Sequence, residues 1–407
     1  MTPHPIITEN MFMVQTLSLI GRETPLFIAD INDNAKALNR MVEKSSFLVL
    51  GGAGSVGQAV VKEIFRRQPQ KLHVVDLSEN NLVELVRDLR STFGYIPGEF
   101  KTFALDIDSK EYDAFFNADG NYHFVLNLSA LKHVRSEKDP YSLMRLLQVN
   151  IFNTEKTLQQ CIAKGVQKYF CVSTDKAAGP INLMGASKRI MELVLLQQSA
   201  NIPISTARFA NVAFSDGSLL HGFKQRLAKN QAIAAPTDVQ RFFLSTQESG
   251  ELCLMACIFG ENRDIFFPKP GAALKALTFT EIAYRFLRYH GYTPHNCSSE
   301  QEARALAKIL PAQGKWPCLN TLSDTTGEKP IEEFYTDKEI VDLNRFNDIG
   351  VIKNRAEKTA NLSSFSSGIQ SLRESGAWTK SQIITLITTV LPEFHHVEKD
   401  KNLDDKM

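Results

Sequence analysis

Apolar and polar positions switch between two periods along the first half of this chain. Ser46-Phe-Leu-Val-Leu50 is a short unbroken apolar run that ends in glycines, the mark of a strand buried on both faces. Gln58–Arg67 follows with apolar positions at helical spacing. The pair then repeats. Strands are expected at Leu72–Val75, ending at Asp76, at Phe100–Leu105, ending at Asp106, and at His123–Leu128, Lys168–Val172 and Ile204–Arg208. Helical patterns lie at Asn80–Leu89, Tyr141–Lys164 and Met184–Gln198. This alternation predicts an α/β fold with a doubly wound parallel sheet. Beyond about residue 215 it breaks down into shorter elements richer in Pro and Gly.

Four regions follow from that reading. Residues 1–45 form an N-terminal extension with a helical pattern at Ala35–Val42, and residues 46–212 form the doubly wound domain. Residues 213–394 form mainly a smaller α+β substrate region, with some segments returning to the first domain. Residues 395–407 are a charged tail, expected to be disordered.

In doubly wound sheets ligands sit beyond the carboxyl ends of the strands, so the residues there matter most. Gly51, Gly54 and Gly57, with Ser55 and Val56 between them, follow the first strand and open a helix. Glycines at that spacing allow a tight turn, close approach to a pyrophosphate and close helix–strand packing, with the phosphates at the helix N-terminus. Asp76 ends the second strand 19 residues beyond Gly57, where a carboxylate accepts from ribose hydroxyls and repels a 2′-phosphate. Ser78 lies just after it, and no Arg follows directly. The pattern predicts a Rossmann-type domain that binds NAD rather than NADP. Asp106 and Ile107 are placed to meet the adenine; a strand-end or helix-cap carboxylate is the plainer reading of each Asp.

Composition narrows the classes. The chain has 407 residues, is 43% hydrophobic and 22% charged, and carries a formal charge of +1. These values fit a globular protein and give no general pull on nucleic acid or anionic membrane. No apolar run approaches the roughly 18 residues a membrane span needs, and Met1–Thr16 does not read as a signal peptide. The six Cys show no zinc spacing, so no metal is expected. Cys253 and Cys257, one helical turn apart in an apolar run, read as buried thiols, and a cytoplasmic setting is expected.

The stretch after the fifth strand carries the most specific pattern. Ser173-Thr-Asp-Lys-Ala177 and Met184-Gly-Ala-Ser-Lys-Arg189 resemble the extended short-chain dehydrogenases, and within them the nucleotide-sugar 4,6-dehydratases of bacterial surface-polysaccharide synthesis. Asn127-Leu-Ser-Ala-Leu-Lys-His-Val134 is similar to the family segment after the fourth strand. Arg208-Phe-Ala-Asn-Val212 is similar to its nucleotide-contacting motif. Asp238-Val-Gln-Arg-Phe242, Gly327-Glu-Lys329, Ile20-Gly-Arg-Glu23 and Val390-Leu-Pro-Glu-Phe394 agree, so the resemblance covers nearly the whole chain without the transmembrane region of the long members.

That resemblance implies roles. Leu128, Ser129, Ala130, Lys132, Ser173 and Lys188 would contact the cofactor, and Lys132, His133, Asn211 and Arg241 the UDP-sugar. The usual Tyr of Tyr-x-x-x-Lys is Met184 here, and a thioether cannot transfer a proton. The family's Met-bearing, retaining branch assigns the Tyr role to the neighbouring Thr and Asp, here Thr174 and Asp175. Lys176 would take the C5 proton of a 4-keto sugar, with its pKa depressed by the nicotinamide and by Lys188. Asp175 would then protonate the leaving C6 hydroxyl. The implied reaction is dehydration of UDP-N-acetylglucosamine to UDP-4-keto-6-deoxy-N-acetylglucosamine by a homo-oligomer.

Plainer readings stand beside these. Asp175 and Lys176 read alone as a solvated loop ion pair, and His133 as a packed or capping histidine. A UDP-sugar 4-epimerase on the same fold needs no Asp-Lys pair, and Met184 also suits a non-catalytic NAD-binding regulator or scaffold. Departures from the family cluster around the substrate: Thr325 and Thr326 replace Arg-Pro, Ala210 replaces Gly, and Phe214-Ser-Asp-Gly217 replaces a smaller, more polar stretch. Residues 292–320 match nothing in the family.

Overall fold

In the computed structural model, which describes residues 9–323, 326–355 and 361–396, the six expected strands are present. They are β1 Ser46–Leu50, β2 Lys71–Asp76, β3 Glu99–Ala104, β4 Phe124–Asn127, β5 Lys168–Thr174 and β6 Ile204–Phe209. Three later strands join the same sheet: β7 Asp264–Pro268, β8 Ile340–Asp342 and β9 Ile349–Lys353. The spatial order is β8-β9-β7-β6-β5-β4-β1-β2-β3. Strands β1 to β7 are parallel, and β9 and β8 close the edge antiparallel. The chain therefore reverses direction around β1, which lies between β2 and β4. That is the switch point where such sheets open a crevice.

Strand β1 shows why the apolar run is continuous. Phe47 and Val49 enter one core with the Ser55–Phe65 helix, while Leu48 and Leu50 enter a second core on the opposite face. All four are fully buried, as period-two side chains must be when both faces are covered. The register pairs Leu50 with Val75 and with Asn127, and Asn127 with Cys171. Gly51, Asp76, Leu128 and Ser173 thus emerge at one edge of the sheet.

The long helical pattern at Tyr141–Lys164 is broken into three pieces. They are a helix at Pro140–Leu147, a π-helical turn at Gln148–Phe152 and a helix at Asn153–Lys164. The side chain of Asn150, inside the turn, bonds both backbone groups of Leu131: Oδ1 accepts from N–H at 2.9 Å and Nδ2 donates to the carbonyl at 3.0 Å. Apolar spacing does not register that one-residue widening.

The extension packs into the body. Leu26, Phe27, Leu38 and Val42 share the core of β1, and Leu17, Leu19 and Ile20 share a third core with the Phe279–Tyr289 helix. Arg22 makes two bonds to Glu248, at 2.5 and 2.6 Å, and that carboxylate also accepts from Leu26 N–H and caps the Thr246–Phe259 helix with Ser245. Cys253 and Cys257 lie on this helix as buried free thiols.

The smaller mixed region holds a three-stranded sheet of Ile233–Pro236, Lys315–Thr321 and Thr293–Cys297, with helices at Leu219–Ala228, Phe279–Tyr289 and Glu300–Leu306. Two helices at Leu362–Ser375 and Lys380–Val390 return to cover the second core. Thr325 and tail residues 397–407 lie outside the described residues. No helix among the described residues is long and apolar enough to cross a membrane.

Candidate active site

The glycine turn is shaped by contact. Gly51 has φ +72°, and a Cβ there would stand 2.7 Å from the Ser129 amide nitrogen. At Gly57 a Cβ would stand 2.2 Å from the Gly51 carbonyl oxygen. The helix begins at Gly54 with no side-chain cap, so its first-turn N–H groups are left to an outside acceptor. Asp76 accepts from Ala53 N–H and Ser78 N–H, each at 2.9 Å. Its carboxylate is thereby fixed beside the turn, and Ser78 itself caps the next helix. A cradle of this kind, with a fixed carboxylate at its edge, fits a dinucleotide.

Asp106 accepts from Asp108 N–H at 2.9 Å, and the buried Ile107 gives its carbonyl to Lys156 at 3.0 Å. Leu128 continues the β1–β4 ladder onto the Leu50 carbonyl, and Ser129 donates to the Asn127 side chain. Ala130 follows at the surface of the same segment, half-buried. Ser173 donates its hydroxyl to Glu192 at 2.6 Å.

A second bridge crosses the cradle. Ser55 and Asp216 exchange two hydrogen bonds, with Ser55 Oγ donating to Oδ2 at 3.1 Å and accepting from Asp216 N–H at 3.0 Å. In the same loop Ser215 lies 3.5 Å from Lys132 Nζ, and Gly217 packs against the His133 ring. Burial lowers the pKa of both Lys132 and His133. Phe214 holds a positive φ of 57°, a strained value for a bulky residue.

At the end of β5 three consecutive side chains meet. Thr174 Oγ1 donates to Asp175 Oδ1 at 2.8 Å, and Lys176 Nζ donates to the same oxygen at 3.1 Å. Asp175 is almost fully buried, and its other oxygen, Oδ2, has no partner. The solvated ion-pair reading of Asp175 and Lys176 therefore fails. Lys176 Nζ also lies 3.5 Å from Asn211 Oδ1 and 3.6 Å from Glu332 Oε1.

The environment of Lys176 differs from the expectation. Burial works against its charge, but Asp175 and Glu332 outweigh it and hold the pKa above the ordinary lysine value. Lys188 donates to the Val172 carbonyl at 3.1 Å, and burial lowers its own pKa. Met184 is buried, and its N–H donates to Glu137 at 2.7 Å.

Arg241 is also buried. It donates to the carbonyls of Gln240 and Lys329 at 2.8 and 2.9 Å and lies 3.2 Å from Glu328 and 3.8 Å from Glu332. Arg208, in the motif that resembles a nucleotide contact, is fully buried and ties Glu192, Glu339 and the Phe334 carbonyl together. Here it is a framework residue, not an exposed contact. Gly327 and Lys329 fold back on the same region. The Gly327 carbonyl accepts from Asn182, and Lys329 donates to the Ala178 carbonyl at 3.0 Å. Sequence reasoning missed Glu332, Asn150 and Glu137. Glu332 lies five residues past the recognised Gly327, in a run with no periodic signal.

The reversed parallel sheet, the glycine cradle and the Lys-containing helix after β5 define a Rossmann-type protein of the extended short-chain dehydrogenase class. Residues 47–354 match the family described as polysaccharide biosynthesis protein, and the chain belongs to that family. It is 30% identical over 325 residues to an uncharacterized membrane protein of Methanocaldococcus jannaschii, covering 77% of this chain and 87% of that protein. It is 26% identical over 253 residues to the UDP-N-acetylglucosamine 4,6-dehydratase (inverting) of Campylobacter jejuni, covering 60% of this chain and 71% of that protein. A UDP-glucose 4-epimerase of Rickettsia bellii is 28% identical over 283 residues, covering 65% and 81% respectively. The chain spans about half of some longer relatives: the capsular polysaccharide biosynthesis protein CapD of Staphylococcus aureus is 26% identical over 81% of this chain and 53% of that protein. Among solved structures, Pen from Bacillus thuringiensis is similar in fold, with a TM-score of 0.61 and 21% identity over 78% of this chain and 91% of that one.

Proposed function

We propose that this protein is an NAD-dependent 4,6-dehydratase of UDP-N-acetylglucosamine, serving surface polysaccharide or glycan synthesis. The observation that carries the reading is the linked Thr174–Asp175–Lys176 group, with one buried Asp175 oxygen left unpaired. A buried acceptor without a partner is costly unless a substrate group meets it. The Campylobacter relative's name supports 4,6-dehydration, with inversion rather than the retention expected of the Met-bearing branch, and the family description supports a place in polysaccharide synthesis.

The cradle at Gly51–Gly57 and the Asp76 carboxylate would hold NAD, which when bound accepts hydride from C4 and returns it to C6. Thr174, whose hydroxyl donates to Asp175, would pass it the C4 proton. Lys176, once neutral, removes the C5 proton made acidic by the C4 ketone. Asp175 gives its proton to the departing C6 hydroxyl, so water leaves and the carboxylate is restored. Lys176 finally returns a proton to C5. Met184 takes no part in proton transfer. It is buried in the second core with Leu183 and Ala186.

The test is incubation with UDP-N-acetylglucosamine in deuterium oxide, read by mass spectrometry and proton NMR. Loss of one water with deuterium at C5 is expected, with coupling constants showing retention. The galacto epimer would make the protein an epimerase, as the Rickettsia relative is named. Unchanged sugar would favour a binding role.

A further inference from the structure

We propose that Glu332 is a positioning residue for the base: it holds Lys176 and takes the proton that Lys176 must shed before it can accept one from C5. This role rests on the dehydratase reading. Glu332 is 3% exposed, and its Oε1 lies 3.6 Å from Lys176 Nζ. The ammonium is thereby held between two carboxylates from distant parts of the chain, Asp175 on one side and Glu332 on the other.

The proton balance needs a second carboxylate. Asp175 must begin ionised, because it receives the C4 proton through Thr174 and spends it on the C6 hydroxyl. Lys176 must begin neutral, because it receives the C5 proton. Asp175 therefore cannot also store the proton Lys176 gives up. Moving that proton from Nζ to Glu332 yields a neutral amine and a neutral carboxyl, with no net charge change and no exchange with solvent. Four charged groups act on Glu332: Lys176 and Asp175 from the end of β5, Arg241 from the Gln240–Arg241 strand, and Lys329 from its own segment. Burial and Asp175 push its carboxyl pKa up, while Lys176 and Arg241 oppose them. Arg241 has carbonyl oxygens and Glu328 as nearer partners, which leaves Glu332 the weaker hold. Further burial by substrate raises an acid and lowers an ammonium, and both shifts favour the transfer.

The test compares wild type, Glu332→Gln and Glu332→Asp, each loaded with NAD and given UDP-N-acetylglucosamine in deuterium oxide. Deuterium entry at C5 is followed across neutral pH. In wild type the Lys176–Glu332 pair carries its own proton, so the rate is expected to stay level. In E332Q the amine must lose its proton to solvent, so the rate is expected to be lower near neutrality and to climb about tenfold per pH unit. E332D is expected to restore a level profile. A level profile in E332Q, at any amplitude, overturns the role. A second measurement uses the Nζ chemical shift of 15N-labelled lysine in the folded protein. Loss of the neighbouring negative charge should lower the Lys176 titration by about one to three pH units in E332Q. An unchanged titration also overturns the role, even where turnover is too slow to follow. Wild-type protein that neither dehydrates the sugar nor exchanges C5 overturns the dehydratase reading, and this role with it. Wild-type exchange beside a level E332Q profile overturns the role alone.

Discussion

Thr174, Asp175 and Lys176 are neighbours in sequence, and they bring a hydroxyl, a carboxylate and an amine to one point. That point is set by the end of β5, where the chain leaves an extended strand for a single 3-10 turn and brings all three onto one Asp175 oxygen. Replacing Asp175 by Asn keeps the acceptor for Thr174 but removes the transferable proton. D175N is expected to cut dehydration by about 10²–10⁴-fold, with KM little changed, as measured by mass-spectrometric loss of water. Lys176→Met is expected to abolish C5 deuterium exchange while the protein stays folded by circular dichroism. Wild-type exchange in K176M would remove lysine from the mechanism.

At the scale of elements, two helices set how tightly the glycine cradle is backed. Thr246–Phe259 lies against Ser55–Phe65, and Gly250 comes so close that a Cβ there would meet the Ala59 backbone at 2.7 Å. On the same helix Glu251 is buried near Glu63, and burial first, then that like charge, raise its pKa to about 7. An unfolded Glu titrates near about 4.3. Between those values the folded protein binds more protons than the unfolded chain, so stability falls as pH rises from about 4.3 to 7. The full loss is on the order of 4 kcal/mol. Glu251→Gln should remove that fall, so the variant's thermal midpoint relative to wild type should rise between pH 5 and pH 8. Equal midpoint shifts at both pH values would show that Glu251 is charged throughout.

The elements also show what was legible in the chain. β1, β2, β4, β5, β6 and the cradle were readable because a doubly covered parallel strand leaves an apolar run and the turn needs glycine where backbones touch; β3 is the uncovered edge and mixes Phe100 and Phe103 with polar positions. β8 was not readable: Ile340 is exposed and Asp342 half-buried, so a three-residue antiparallel edge strand carries no pattern. The π-turn at Gln148–Phe152 was hidden because its cause, Asn150 reaching Leu131, is a tertiary contact. Asp175 and Lys176 were found through the motif. The Lys176 environment was not, because Glu332 arrives from 156 residues further along the chain. Spacing within one segment cannot report a charge supplied by another.

Across the whole molecule, buried charge joins the parts that apolar packing leaves separate. Arg208 on β6 links the Leu183–Gln198 helix through Glu192 to the segment before β8 through Glu339, with four bonds between 2.8 and 2.9 Å. Removing the cation would leave two carboxylates facing each other. Arg208→Met is expected to destabilise the fold by about 3–5 kcal/mol, seen as a lowered midpoint in thermal denaturation. A midpoint equal to wild type would show that water replaces the guanidinium without cost. Another long-range pair, Arg22 with Glu248, joins groups 226 positions apart. Translation runs at roughly 5–20 residues per second, so the first partner waits on the order of ten to forty seconds for the second. Through that interval the segment around Leu26 and Phe27 has no finished core to enter, and its docking is set by the ribosome's clock rather than by its own rate of closure.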